Sequence, residues 1–249
     1  MESFLFALIL TSIAGISTTI GSVIAIIIKK PNEKYISLIM GFSAGVMILI
    51  SFVELLQGGI KASSFLMGHI YFFVGMFIMY IIDVSISHQY EFEEYQSLKN
   101  GKLQKVSLLV TIGIFIHNFP EGIATFIAAL QDVNLGIILC FAIALHNIPE
   151  GIAVAIPIYL FTNDKKKAFF WSFFSGVSEP IGAILSGLVL FPFINDYILG
   201  VMLAVVGGFM VYISLDELLP ASRESGHEHL SILGIILGMI VMALSLSLL

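Results

Sequence analysis

Positive charge is missing from the apolar parts of this sequence, and charge of either sign is scarce: 11% of the 249 residues are charged and 58% are hydrophobic. A water-soluble domain is about 25% charged, so a soluble globule is excluded. Cysteine is nearly absent too. Cys140 stands alone, which rules out a disulfide framework and the thiolate cluster that a soft ion such as Cu(I) prefers. Nor is there a basic excess. The formal net charge is −6, with acids in apolar runs and loops, so nucleic acid is not a partner.

What is present is long apolar sequence. Runs of about 20 residues, the length that crosses a ~30 Å hydrocarbon core, recur at roughly 3–28, 36–57, 65–87, 107–130, 135–161, 168–190, 198–219 and 230–248. The reading is an all-α polytopic membrane protein with eight transmembrane helices, one domain over residues 1–249, and a loop at 88–106. The first run lacks a basic leader, Glu2 being its only early charge, and reads as a retained spanning helix. Alternate connections hold Lys29, Lys30 and Lys34, then Lys99, Lys102 and Lys105, then Lys165, Lys166 and Lys167, then Arg223; of the eleven basic residues only Lys61 falls on the other side. The positive-inside rule puts that loaded side in the cytoplasm and both termini outside, in a cell (inner or plasma) membrane.

The charges inside the runs are all acidic. Glu54, Asp83, Glu121, Glu150, Glu179, Asp216 and Glu217 lie within them or at their ends, and no Lys or Arg does. A carboxylate at bilayer depth costs several kcal/mol unless its charge is met. Here only a proton or a bound cation can meet it. Counting ~1.5 Å per residue, His117, His146 and Glu179 each fall about 15 Å into their runs, at the midplane.

Two of these acids belong to twin segments, His117-Asn118-Phe119-Pro120-Glu121-Gly122 and His146-Asn147-Ile148-Pro149-Glu150-Gly151. His and Glu four apart share one helix face. Imidazole nitrogen, carboxylate oxygen and amide oxygen make a mixed ligand set suited to Zn²⁺, Fe²⁺, Mn²⁺, Co²⁺ or Cd²⁺. Pro120 and Pro149 cannot donate to the carbonyls of Ile116 and Leu145, which bends each helix and leaves oxygens for ions. Gly122 and Gly151 let neighbouring backbones approach. With both histidines neutral, Glu121, Glu150 and Glu179 supply three negative charges; one divalent ion leaves −1 and two leave +1, which favours two metals, or a metal with a proton.

A second similarity is less obvious. The twelve residues from Gly45 to Leu56, with Glu54 among them, align without gaps to those from Gly208 to Leu219, with Asp216 and Glu217. By the charge-derived topology the two run in opposite directions, so the helices read as an inverted repeat, 3+2+3, a recurring transporter plan. Glu54 then falls near the outer mouth and Asp216 and Glu217 near the inner one, as entry and exit ligands. Asp83 and His88 are weaker candidates, and His227-Glu228-His229 reads as a short polar loop.

These motifs, with Ser178-Glu179-Pro180 and the segment Leu215 to Pro220, resemble the ZIP (Zrt/Irt-like) family of metal transporters over essentially the whole chain. The resemblance implies a binuclear site: His117, Glu121, His146 and Glu150 around one metal, and Asn118, Asn147 and Glu179, with Glu121 and Glu150 shared, around the other. It implies uptake of Zn²⁺ and other divalent metals into the cytoplasm by an elevator-like motion of helices 1, 4, 5 and 6, with no resident cofactor beyond the transported ion. Two Asn residues are similar to broad-range members, which implies loose selectivity. The family's His-rich loop is not matched, since 88–106 holds only His88. Partners are metal ions and the bilayer, with a homodimer as the assembly considered. A membrane-embedded metallohydrolase and a metal-free proton relay are the other readings of the same residues.

Overall fold

The computed structural model describes residues 2–28, 32–85, 118–190, 195–224 and 226–248, all but the connecting residues helical. The helices are α1 (Glu2–Ile28), α2 (Glu33–Ala62), α3 (Phe65–Ser85), α4 (118–131), α5 (Val133–Thr162), α6 (Lys165–Leu190), α7 (Asp196–Arg223) and α8 (Glu228–Leu248). Seven are long and apolar enough to cross a membrane; of the run expected at 107–130 only the part from 118 is described. The 88–106 loop, His88, Lys29, Lys30, Lys99, Lys102, Lys105 and Ile116 lie outside the described residues.

Helix starts follow local chemistry. Asp132 Oδ1 accepts from the Leu135 amide at 2.9 Å and Asn195 Oδ1 from that of Ile198 at 2.9 Å, each satisfying an amide that the first turn leaves without a partner. Asn163 closes α5 in a left-handed conformation, φ 50, a backbone state that Asn tolerates. Several ends differ from expectation. α2 runs on through Gly58 and Gly59 to Ala62, because Gly59 seats against Ala204 of α7. α7 begins at Asp196 and continues through Pro220 to Arg223, and Lys165, Lys166 and Lys167 form the exposed first turn of α6 rather than a loop. α5 and α6 stay helical through Pro149 and Pro180.

Two helices share a local departure. α2 widens into a π turn at Ser51–Leu55 and α7 at Ser214–Leu218. These are the same positions of the repeated twelve residues. Even the hydroxyls match: Ser51 donates to the Met47 carbonyl at 2.7 Å and Ser214 to that of Met210 at 2.7 Å.

Packing sorts the helices into two sets. α1 lies against α5 and α6, and α4 against α5 and α6; α2 lies against α8 and α7, and α3 against α7. Within the sets the helices meet backbone to backbone. Gly15 and Gly176 face each other's carbonyls across α1 and α6, while Gly41 and Gly45 of α2 face Ser231 and Ile235 of α8. Such small-residue crossings supply the van der Waals contact that holds helices together in lipid. Among the described glycines, none has an atom of the opposite set where its Cβ would lie. Between the sets, α2 meets α5, where Met40, Ala44 and Met47 share an apolar core with Leu139 and Ile143. α3 and α8 are outermost, presenting Phe73, Phe77, Ile236 and Ile240.

Candidate metal centre

The middle of the first set is polar and buried. Asn118, Glu121, His146, Asn147 and Glu179 are fully buried and Glu150 nearly so, and among the described residues no Lys or Arg is buried. His146 and Asn147 stand at the middle of the 30-residue α5, so helix length alone sets their depth. Helix crossings bring the other elements in. A Cβ on Gly122 would overlap the Glu179 carbonyl, and one on Gly151 that of Thr18; with glycine at both positions, α4 closes on α6 and α5 on α1.

One ligand atom each from Glu121, His146 and Glu150 lie within 4.8 Å of one another. Tetrahedral ligands about 2.0–2.2 Å from zinc stand roughly 3.4 Å apart, so small side-chain adjustments bring these three onto one ion. The histidine is oriented for it. His146 Nδ1 lies 3.2 Å from the Ala142 carbonyl and Nε2 lies 2.9 Å from Glu121 Oε1. With the proton on Nδ1, donated to the carbonyl, the Nε2 lone pair faces a carboxylate oxygen. Two lone pairs so placed call for a cation or a proton between them.

Beside this group, the Asn147 amide nitrogen donates to the Ala14 carbonyl of α1 at 2.9 Å and to Glu179 Oε1 of α6. Asn147 therefore ties three helices together and turns its oxygen away from those contacts. Asn147 Oδ1 and Glu179 Oε2 are buried without a hydrogen-bond partner among the described residues, which in a low-dielectric interior costs free energy unless a cation or water is supplied. Ser43 Oγ of α2 lies 3.5 Å from the His146 carbonyl, a polar contact from the second set to the site.

The structure thus gathers Glu121, His146, Glu150, Asn147, Glu179 and Asn118 into one interior. His117 lies outside the described residues. Glu54 and Glu217 are half-buried and Asp216 exposed, within the two π turns rather than in the centre. Asp83 is buried and accepts from the Tyr212 hydroxyl at 2.8 Å, linking α3 to α7. Glu228 and His229 open the first turn of α8. Sequence reasoning missed the Ala14 carbonyl and Tyr212. The first carries no residue-type signal; the second could have been sought as a donor for an intramembrane acid.

A bundle of membrane-length helices around a buried imidazole–carboxylate group able to hold a cation is the frame of a multi-pass membrane protein, and the chain matches the ZIP Zinc transporter family over residues 85–246, to which it belongs. It is similar over nearly its whole length to bacterial zinc transporters named ZupT. That of Streptococcus mutans is 47% identical over 99% of this chain and 98% of the relative. That of Clostridium perfringens is 45% identical, over 99% and 96%, and that of Campylobacter jejuni 42%, over 100% and 98%. The family and the apolar helices make this a multi-pass protein of the cell membrane.

Proposed function

We propose that the chain carries zinc, and with it Fe²⁺, Mn²⁺, Co²⁺ and Cd²⁺, into the cytoplasm through the centre formed by Glu121, His146, Glu150, Asn147, Glu179 and Asn118, joined by His117. The observation that carries this is the buried Glu121–His146–Glu150 group, with ligand atoms within 4.8 Å of one another, in an interior whose described residues include no buried Lys or Arg. Zinc transport is what the ZupT relatives are named for. A transporter, rather than a hydrolase, is the activity proposed.

Two ions suit the charge of three carboxyl groups. Glu121, His146 and Glu150 with His117 hold one, and Asn118, Asn147 and Glu179, sharing Glu121 and Glu150, hold the other. The molecule is proposed as one domain of eight spans in a 3+2+3 inverted repeat with both termini outside. The matched π turns of α2 and α7 support the repeat, as does the exchange of partners, α2 against α8 and α7 against α3.

Transport is proposed to proceed by α1, α4, α5 and α6 sliding as a body against the other helices. Glycine-to-carbonyl crossings lock each set internally, whereas the seam between α2 and α5 has no such crossing among the described glycines and holds Met40 and Met47 in its core. Methionine repacks readily. A body that moves should be stiff within and smooth at its boundary, and this division fits.

Uptake of radioactive zinc into proteoliposomes containing the full-length protein tests the reading. Wild type is expected to carry zinc and Glu121→Ala to lose the flux. Undiminished flux in Glu121→Ala would sink it.

A further inference from the structure

A second internal match lies in the helices that flank the twin segments. Gly15-Ile-Ser-Thr18-Thr-Ile-Gly21-Ser of α1 aligns to Gly176-Val-Ser-Glu179-Pro-Ile-Gly182-Ala of α6, with Gly, Ser, Ile and Gly shared. The structure pairs the same positions. A Cβ on Gly122 would meet the Glu179 carbonyl, and one on Gly151 the Thr18 carbonyl; Gly182 faces the Phe119 carbonyl, and Gly21 that of Ile148. Phe119 and Ile148 hold the same place in the twin segments, as do Gly122 and Gly151. Gly15 and Gly176 face each other, as residues beside a twofold axis do. Ser17 donates to the Ala14 carbonyl and Ser178 to that of Ser175, both at 2.6 Å. By these glycine crossings, Thr18 is to α5 what Glu179 is to α4.

Its hydroxyl is also left over. Thr11 and Ser17 on the same helix are buried and return their hydroxyls to α1 itself, to Ala7 at 2.9 Å and Ala14 at 2.6 Å. Thr18 is fully buried, and its Oγ1 has no hydrogen-bond partner among the described residues. A threonine in a helix ordinarily bonds the carbonyl one turn back. For Thr18 that carbonyl belongs to Ala14, which already accepts from Asn147 and Ser17. Asn147 reaches Glu179 with the same amide group, so the hydroxyl lies one helical turn from an atom that anchors the site.

We propose that Thr18 Oγ1 is a further oxygen ligand of the transported cation, on the side opposite Glu179 and beside Asn118, bonded directly or through one water. The proposal rests on the metal-transport reading above. It makes the centre symmetric in position but not in charge: the half built on α6 contributes a carboxylate and the half built on α1 a neutral oxygen. The cation is accordingly held off-centre, nearer Glu179, and the empty centre carries one negative charge fewer than a fully symmetric one.

Calorimetric titration of the full-length protein in detergent with zinc alone separates the outcomes. Thr18→Val keeps the shape and removes the hydroxyl. It is expected to weaken zinc binding about tenfold, the lower end of what loss of an outer ligand group costs, and Thr18→Ala should do the same. Thr18→Ser should restore affinity, and Thr11→Val, which removes a buried hydroxyl satisfied within its own helix, should leave it unchanged. Metal-free Thr18→Val should melt no lower than wild type, since a buried hydroxyl without a partner is removed. Wild-type zinc affinity in both Thr18→Val and Thr18→Ala overturns the proposal. Glu121→Ala in the same titration tells the two readings apart: if it abolishes binding while the Thr18 variants bind normally, Thr18 alone is excluded, and if it binds normally, the site reading itself falls.

Discussion

Asn147 holds three helices with one amide group, donating to Ala14 and to Glu179. Asn147→Asp replaces that donor with an acceptor and sets two carboxyl groups against each other. The metal-free protein is expected to lose about 1–3 kcal/mol, the cost of leaving buried groups unmatched, and added zinc should restore much of the loss, because the cation neutralises the new charge. Thermal unfolding with and without zinc checks both. The pH dependence has a definite sign. Metal ligands bind deprotonated, and a free imidazole takes up its proton near pH 6.5, so zinc affinity should fall as the pH is lowered from 7 to 5. Affinity constant over that range would remove His146 and the glutamates from the ligand set. At this scale the sequence was readable where chemistry resides in side chains: spacing alone put His146 and Glu150 on one helix face, and the structure brings both to the same group. It was not readable where the partner is a backbone carbonyl, as with Ala14, because that acceptor is the same atom in every residue.

At the scale of helices, the glycines of the twin segments do a different task from the ligands beside them. Gly122 and Gly151 bring carbonyls of α6 and α1 into contact with α4 and α5. Gly151→Ala forces a methyl group against the Thr18 carbonyl and should cost about 1–3 kcal/mol, the range for overpacking. The loss should show as a lower melting temperature and a reduced zinc uptake rate. Long apolar runs made most helices visible in advance, since length and composition carry that signal. Their ends were less visible. α2 and α7 outran the expected boundaries because contacts such as Gly59 on Ala204 hold as helix a stretch whose own composition does not call for one. The π turns left no mark in composition, though both sit inside the repeat that the sequence displayed.

For the whole molecule, orientation and symmetry are linked. In the topology proposed here the lysines order the sides, and that order makes α2 and α7 antiparallel. The single cysteine gives direct access to this. Cys140→Ala yields a cysteine-free protein in which Gln131→Cys, at the turn between α4 and α5, should react with a membrane-impermeant thiol reagent from outside intact cells. Thr162→Cys, at the far end of α5, should react only after the membrane is opened. Labelling in the reverse order would invert the topology and the direction of uptake with it. Division into two packed sets was implied by the family resemblance but not by composition, because glycines are spread through the sequence and only the contacts say which of them meet.

Each π turn also leaves its helix one residue out of step with a regular spiral, and a helix advances about 100° per residue. The stretch from Leu56 to Ala62 keeps Gly59 on Ala204 only because that extra residue precedes it. Deleting one residue from Ser51–Leu55 would leave α2 unbroken in outline yet swing its last two turns about 100° away from α7, and the matching deletion in Ser214–Leu218 would do the same to the end of α7. These two turns therefore set the phase of both helices, and a chain shortened there by a single residue could keep its composition, its hydropathy and its helices while losing the fit between them.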